Sequence, residues 1–412
     1  MKLSSSKFAI LTKTVLLLLS CQFQLFAQSS NQSSKPLLLY GDFTHMQTCK
    51  STQTIDQDVQ QLVQILLNDA DTILDITSPS VMDKGFTPPS GDKHDYMSQG
   101  PYWWPDPTKA DGLPYIRRDG EVNPERAKFT DRANLSKLIS SVTTLSRAYF
   151  FSEDEKYAQK AIDFLQTWFL DSATSMNPHL EFGQAIPGRT SGRGIGIIET
   201  SDIGKIADAV QLLRASSRWS DEMNAGMIFW MKAYLEWLMT SEKGQDESLH
   251  PNNHGTWYNV QAAMLAIFTG QETIAKNIVE TSKQTRLDAH IEANGSQPKE
   301  IARTRSFSYS TMNLLGLFQL ALIGEKLGID LWHYKNIHGV SLQKALDFLI
   351  PAASGQTSWP HPQIKPISPI RMIPHLVHAS RVYSPSYGKI AKTIIDKHQP
   401  NSIVQLIYPI QI

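Results

Sequence analysis

Apolar positions recur along most of this chain with a period near 3.6 residues, the spacing of one face of an α-helix. Residues 54–75 carry Ile55, Val59, Leu62, Val63, Leu66, Leu67 and Ala70 at that spacing. The pattern returns over 125–151, from Phe129 to Tyr149, and over 154–170, from Tyr157 to Phe169. Similar stretches fall at 198–216, 220–241, 255–269, 271–289, 308–327, 341–350 and 385–396. Ser152, before Glu153-Asp154-Glu155, and Ser220, before Asp221-Glu222, read as helix caps. Alternating apolar and polar positions are rare. The best strand candidate is the terminal segment 402–412. About ten helices in antiparallel succession predict an all-α fold of paired helices stacked into a ring or solenoid.

Three irregular stretches interrupt the helices. The longest, 77–124, is rich in Pro, Gly, Asp and aromatic residues and includes Tyr102-Trp103-Trp104 and Arg117-Arg118. The others are 174–195, which ends around Arg189 and Arg193, and 353–370, which contains Trp359 and His361. A loop of that length in a compact helical domain is expected to cover or line a site. No linker or composition shift marks a second domain, so 37–412 reads as one domain.

The ends and the composition narrow the class. Lys2, Lys7 and Lys13 precede or border a short apolar run, and Ala27 ends it, which reads as an export signal over 1–27. The run is too short for a permanent bilayer anchor. Periplasmic or secreted localisation follows, with a polar, disordered leader at 28–36; acylation of Cys21, giving an outer-membrane lipoprotein, is the alternative. Lys plus Arg and Asp plus Glu are both 39 in the 412 residues, and 41% are hydrophobic. That balance argues against a nucleic-acid partner, and leaves room for a local basic cleft on an acidic ligand. With Cys21 and Cys49 as the sole cysteines, a cysteine-based metal site is not expected, and Cys49 reads as an inert thiol.

The chemistry concentrates at 252–309. Asn252-Asn253-His254 opens a helix, and Arg303-Thr304-Arg305 leads to Tyr309. An amide, an imidazole, a guanidinium and a phenol can neutralise a carboxylate and move the proton on the carbon beside it, as elimination from a uronate requires. Each has a plainer reading. Asn252 and Asn253 are good caps, Tyr309 suits a core, and Arg303 and Arg305 could pair with Glu300. Read as catalytic, Tyr309 is expected to have a pKa lowered by the neighbouring arginines.

These motifs resemble the alginate lyase superfamily with an α/α-toroid fold. Asn252-Asn253-His254-Gly255-Thr256-Trp257 is similar to its Asn-Asn-His-x-x-Trp motif. His94–Ser98, Tyr102–Pro107 and Gly112–Tyr115 resemble its N-terminal loop, Arg303–Tyr309 its catalytic segment, and Ser358-Trp359-Pro360 its C-terminal part. The likeness spans roughly residues 80–365, and the branch most resembled is polysaccharide lyase family 38, whose members act on alginate or glucuronan.

The resemblance implies an incomplete toroid of about six or seven helix pairs with long loops over the cleft. It also implies β-elimination on β-1,4-linked uronate polymers, leaving 4,5-unsaturated ends. Alginate is the first expectation and glucuronan the next. Asn253 and Arg303 would neutralise the carboxylate with His254 beside them. Tyr309 would be the acid, and also the base for syn elimination; His254 would be the base where guluronate demands anti elimination. Asn252, Arg305, Trp257, Tyr102, Trp103, Trp104, Arg117, Arg118, Arg189, Arg193, Trp359 and His361 would contact the sugar chain. No cofactor and no metal are implied, and a monomer acting on an acidic polysaccharide is expected. Two rival classes remain at this point. One is a glycoside hydrolase using Glu181, Glu199 or Asp202; the other is a non-catalytic glycan-binding protein.

Overall fold

The computed structural model describes residues 36–412. The expected export signal, the Cys21 acylation site and nearly all of the polar leader lie outside the described residues. Residues Leu38–Ile412 form one compact unit. Among the described residues no helix is long and apolar enough to cross a membrane.

The chain is dominated by helices. In order, α1 is Phe43–Thr52, α2 Gln57–Asp71, α3 Asp131–Ser152, α4 Glu155–Leu165, α5 Gly204–Leu213, α6 Asp221–Thr240, α7 Glu242–Ser248 and α8 Asn253–Phe268. There follow α9 Glu272–Ser282, α10 Pro298–Ile301, α11 Ser306–Leu327, α12 Leu342–Ala353, α13 Ile373–Val382, α14 Pro385–His398 and α15 Val404–Ile407. Helices α3, α5, α8, α11 and α13 pack successively against one another, while α4, α9 and α12 lie against members of that series. This is the all-α, incomplete toroid that the motifs implied. Its innermost helices show why sequence periodicity alone could not rank them. On α8, buried residues run continuously from Gly255 to Ala266, and α11 is nearly as enclosed. A helix surrounded on all sides needs no polar face.

Among the described residues, the 77–124 stretch carries three of the four short strands, and 174–195 the fourth. β1 (Met97–Gln99) pairs in parallel with β4 (Phe182–Ala185), and β2 (Trp103–Trp104) pairs antiparallel with β3 (Ile116–Arg117). The first pairing ties two of the three irregular stretches together. The loop is anchored from below by a buried ion pair: Lys84 Nζ lies 2.9 Å from Asp131 Oδ2, and both side chains are fully buried. Asp131 opens α3 and also accepts from the Met97 amide, at 2.9 Å.

Some expectations shift. Residues 402–412 do not form a strand. They contain the helical turn α15, whose Ile407 and Gln405 carbonyls accept from the Asp42 amide and the His45 ring, at 2.9 and 2.8 Å. Those carbonyls cap the start of α1 instead of joining a ladder. α1 itself was not expected, because Phe43–Thr52 is polar with only Met46 and Cys49 buried. α7 and α13 were likewise missed. Ser152 ends α3, and the cap of α4 is Asp154, while Ser220 caps α6 as read. Cys49 is buried, and burial raises its pKa.

Candidate active site

The cleft opens where α8, the segment before α11 and the loop stretches converge. It encloses about 440 Å³ and is lined by, among others, Tyr102, Trp103, Arg117, Arg193, Asn252, Asn253, His254, Arg303 and Tyr309.

Its first wall is the start of α8. Asn252 is the cap, accepting from the His254 amide at 3.0 Å. Asn253 is 1% exposed, and its backbone N–H and its Nδ2 both point at Glu300, at 2.7 Å and at 2.8 and 3.0 Å to the two carboxylate oxygens. A carboxylate only accepts, so it selects the amide orientation that presents Nδ2. Burial raises the Glu300 pKa, opposed by these N–H donors. The first turn of α8 also sits hard against its surroundings. A Cβ on Gly255 would lie 2.2 Å from the His250 carbonyl oxygen, so only glycine fits there.

His254 donates from Nδ1 to Glu247 Oε1 at 2.8 Å. Glu247 is fully buried, and its Oε2 has no hydrogen-bond partner among the described residues, the His250 ring lying 4.0 Å away. The Nδ1 contact fixes the tautomer and leaves Nε2 as the acceptor nitrogen.

The opposite wall is built from Arg303 and Tyr309. Arg303 forks onto Asp119, with Nε 3.1 Å from Oδ2 and Nη2 2.7 Å from Oδ1. It does not pair with Glu300, which is committed to Asn253. The turn that delivers Asp119 needs Gly120, whose φ is +79 and whose Cβ would meet Thr304 Oγ1 at 2.4 Å. Burial alone would raise the Asp119 pKa, but the hydrogen bonds and charge of Arg303 outweigh it and hold this carboxyl well below the usual range. Arg303 Nη2 also donates to the Tyr309 hydroxyl at 2.9 Å, and its guanidinium lies 3.9 Å from the ring centre. The Tyr309 and Tyr102 hydroxyls are 2.7 Å apart.

The tyrosine differs from the sequence-based expectation. Its pKa is raised, not lowered. Burial is the largest cause and Tyr102 adds to it, while Arg303 pulls the other way without prevailing. In the free cleft Tyr309 is a protonated phenol.

The remaining named residues divide. Arg193 reaches the cleft, donates to the Gln184 carbonyl and side chain at 3.0 and 2.7 Å, and is pushed down to about 10 by burial. Trp103 lies under both Arg189 and Arg193, with guanidinium carbons 5.2 and 5.8 Å from its ring centre. Arg189, Arg118 and Trp104 are not among the cleft-lining residues; Arg118 stacks on Trp104, at 5.1 Å. Trp257 is packed in the core, with its indole N–H on the Met312 carbonyl. Arg305 precedes α11 and donates to the Gly120 carbonyl, away from the cleft. Trp359 donates to Ser306 Oγ at 2.7 Å and stacks edge-on to His361, so both brace the start of α11.

Sequence reasoning did not find Glu247, Asp119 or Arg132. Asp119 stood directly after Arg117-Arg118, the one available signal. Of the three hydrolase candidates, Glu181 is held by Trp237 and Lys243, and Glu199 by Tyr96, Ser98 and Arg132. Asp202 is paired with Lys205 at 3.0 Å.

Comparison with known proteins bears on this geometry. The chain is similar to the crystal structure of an alginate lyase from Bacteroides ovatus, with 40% identity over 90% of this chain and 98% of that one, and a TM-score of 0.86. It shares its fold with alginate lyase A1-III from Sphingomonas species A1, seen as a histidine-to-alanine variant complexed with a tetrasaccharide. There the identity is 17%, the coverage 83% and 86%, and the TM-score 0.55. No match was found among curated proteins. The sequence model of the alginate lyase family matches residues 80–359, the span from the anchored loop to the brace of α11. The chain therefore belongs to the alginate lyase family and is a polysaccharide lyase.

Proposed function

We propose that this lyase depolymerises alginate by β-elimination, with Tyr309 as the group that hands a proton to the leaving O4. The observation that carries this reading is the Tyr102–Tyr309–Arg303 contact, a protonated phenol bound at 2.7 and 2.9 Å and facing His254 across one cleft. A protonated phenol is the form an acid catalyst must start in.

In this reading the substrate carboxylate docks between Arg303 and Asn253. The Asn253 Nδ2 carries two N–H groups; one serves Glu300 and the other is left for the substrate. Withdrawal of charge by these donors acidifies the C5 proton and stabilises the enolate that forms. On mannuronate, where elimination is syn, Tyr309 takes the C5 proton as well. It must start as the phenolate, its own proton leaving to solvent through the Tyr102 hydroxyl, which accepts that proton as it gives up its own, while Arg303 stabilises the charge; the proton then taken from C5 is the one handed to O4. On guluronate, where elimination is anti, His254 Nε2 takes the C5 proton while Tyr309 protonates O4. The C4–O4 bond breaks as the C4–C5 double bond forms. Trp103, Arg117 and Arg193 would hold neighbouring sugars.

The test is a substrate panel of polymannuronate, polyguluronate, glucuronan and pectate, read by the ultraviolet absorbance of the unsaturated product. Turnover of an alginate block supports the reading. Turnover confined to glucuronan or pectate, or none at all, refutes it.

A further inference from the structure

Beside the cleft lies a second cavity of about 360 Å³. Arg132 lines both, so the two spaces adjoin. The second is walled by Arg126, Arg132, Gln99, Ser98, Pro124 and Phe129, along with other residues.

Its polar groups are out of balance. Arg126 is partly buried and, among the described residues, forms no salt bridge and no side-chain hydrogen bond. The charged groups felt by Arg126 are another cation, Arg132, and Glu199. Glu199 is already committed, since its Oε2 accepts from Tyr96 at 2.7 Å and Ser98 at 2.6 Å, and its Oε1 forms an ion pair with Arg132 at 3.1 Å. Two guanidiniums thus share one carboxylate that is bound from three sides. Gln99 is 3% exposed, and its Nε2 has no partner among the described residues. A half-buried cation beside a second cation is unfavourable until an anion joins them, and an unpaired buried amide is costly in the same way. Phe129 supplies an apolar wall, held edge-to-face against Phe86 at 5.1 Å.

We infer that this cavity is an outlying subsite in which Arg126 and Arg132 bind the carboxylate of a further uronate residue of the polymer. Gln99 lines it, and its unpartnered amide can present an N–H to the same carboxylate or to a ring hydroxyl. Phe129 meets the apolar face of the sugar. The inference rests on the proposed polyuronate substrate, and it adds that binding draws on chain length beyond the residues in the cleft itself. Arg126 touches none of the reacting atoms. It therefore acts on affinity for long chains.

The experiment compares Arg126→Gln, Arg126→Lys and the parent enzyme on long polymannuronate and on the shortest oligomannuronate that the parent turns over. For Arg126→Gln, KM on the polymer should rise about fivefold relative to the change on the short oligomer, the scale of one partly exposed ion pair. Arg126→Lys should recover most of it. Equal effects of Arg126→Gln on both substrates, or no effect on either, overturn the subsite. A parent enzyme that turns over no alginate block refutes the proposed function instead; long and short chains of whichever polyuronate it cleaves then decide the subsite by the same ratio. Matching melting temperatures across the three proteins separate a binding effect from a folding one.

Discussion

Arg303 and Asp119 form a two-point clamp, 3.1 and 2.7 Å, between a guanidinium in the cleft and a loop carboxylate 184 positions earlier. The cation assigned to the substrate carboxylate is thus already aimed and partly neutralised. The same Asp119 charge raises the pKa of Tyr309, which shares Arg303.

Asp119→Asn therefore has two separable effects. Losing half of the clamp loosens Arg303, and kcat on polymannuronate should fall about tenfold or more, as small misplacements of catalytic groups do. Removing a nearby negative charge favours tyrosinate, so the Tyr309 pKa drops and, on polyguluronate, where Tyr309 starts as the acid, the alkaline limb of kcat/KM moves to lower pH. A pH–rate profile measures both, and a limb that stays in place or moves upward contradicts the coupling.

Tyr309→Phe keeps the ring against Arg303 but loses the proton. The rate of unsaturated-product formation should fall by about three orders of magnitude, within the range of positioned acid–base groups, with little change in KM. Retention of the parent rate would remove Tyr309 from the mechanism.

Glu247 has no contact with the proposed docking groups, yet it sets which nitrogen of His254 is free. Glu247→Gln should depress turnover of polyguluronate about tenfold more than turnover of polymannuronate, in line with the loss seen when a partner that orients a catalytic histidine is changed. His254→Gln should show the same bias. Equal losses on the two polymers would argue that His254 is not the guluronate base.

The Lys84–Asp131 pair offers a stability test with a sign. Burial raises the Asp131 pKa to about 6, against the pull of Lys84. The folded state thus holds this proton more tightly than an unfolded carboxyl near 3.9, so this group's contribution is greatest below about pH 4 and is lost as pH rises through 6. Lys84→Met removes the counter-charge and raises the Asp131 pKa further. Its cost should be about 3–5 kcal/mol at pH 8, the usual cost of stranding a buried partner, and distinctly smaller at pH 5, where Asp131 accepts a proton. Urea unfolding at the two pH values decides it, and an equal deficit at both would contradict the argument.

Particular residues show how far the sequence reaches. The start of α8 was legible because capping is local: Asn252 bonds to His254, two positions on. The destination of Asn253 was not, because Glu300 lies 47 positions away and no periodicity links them. The Tyr309 pKa was misjudged for a related reason. Arg303 and Arg305 are visible as neighbours, but only Arg303 bears on the phenol, and burial and Tyr102, which outweigh it, exist only once the loop folds over the helix. The segment 402–412 alternated like a strand, and its carbonyls found the end of a helix before any strand could claim them.

The brace at 359–363 carries a consequence for how the enzyme comes into being. The Ser306 amide and hydroxyl both donate to the Pro362 carbonyl, the Phe307 amide donates to Gln363, and Trp359 closes over Ser306. A growing chain possesses Tyr309 well before it possesses these residues. Until they are made, the end of α11 that bears the reactive phenol is held only from the loop side, through Asp119, Gly120 and Tyr102. A chain cut short before Trp359 would keep every proposed catalytic side chain while lacking this brace beneath the helix that bears Tyr309.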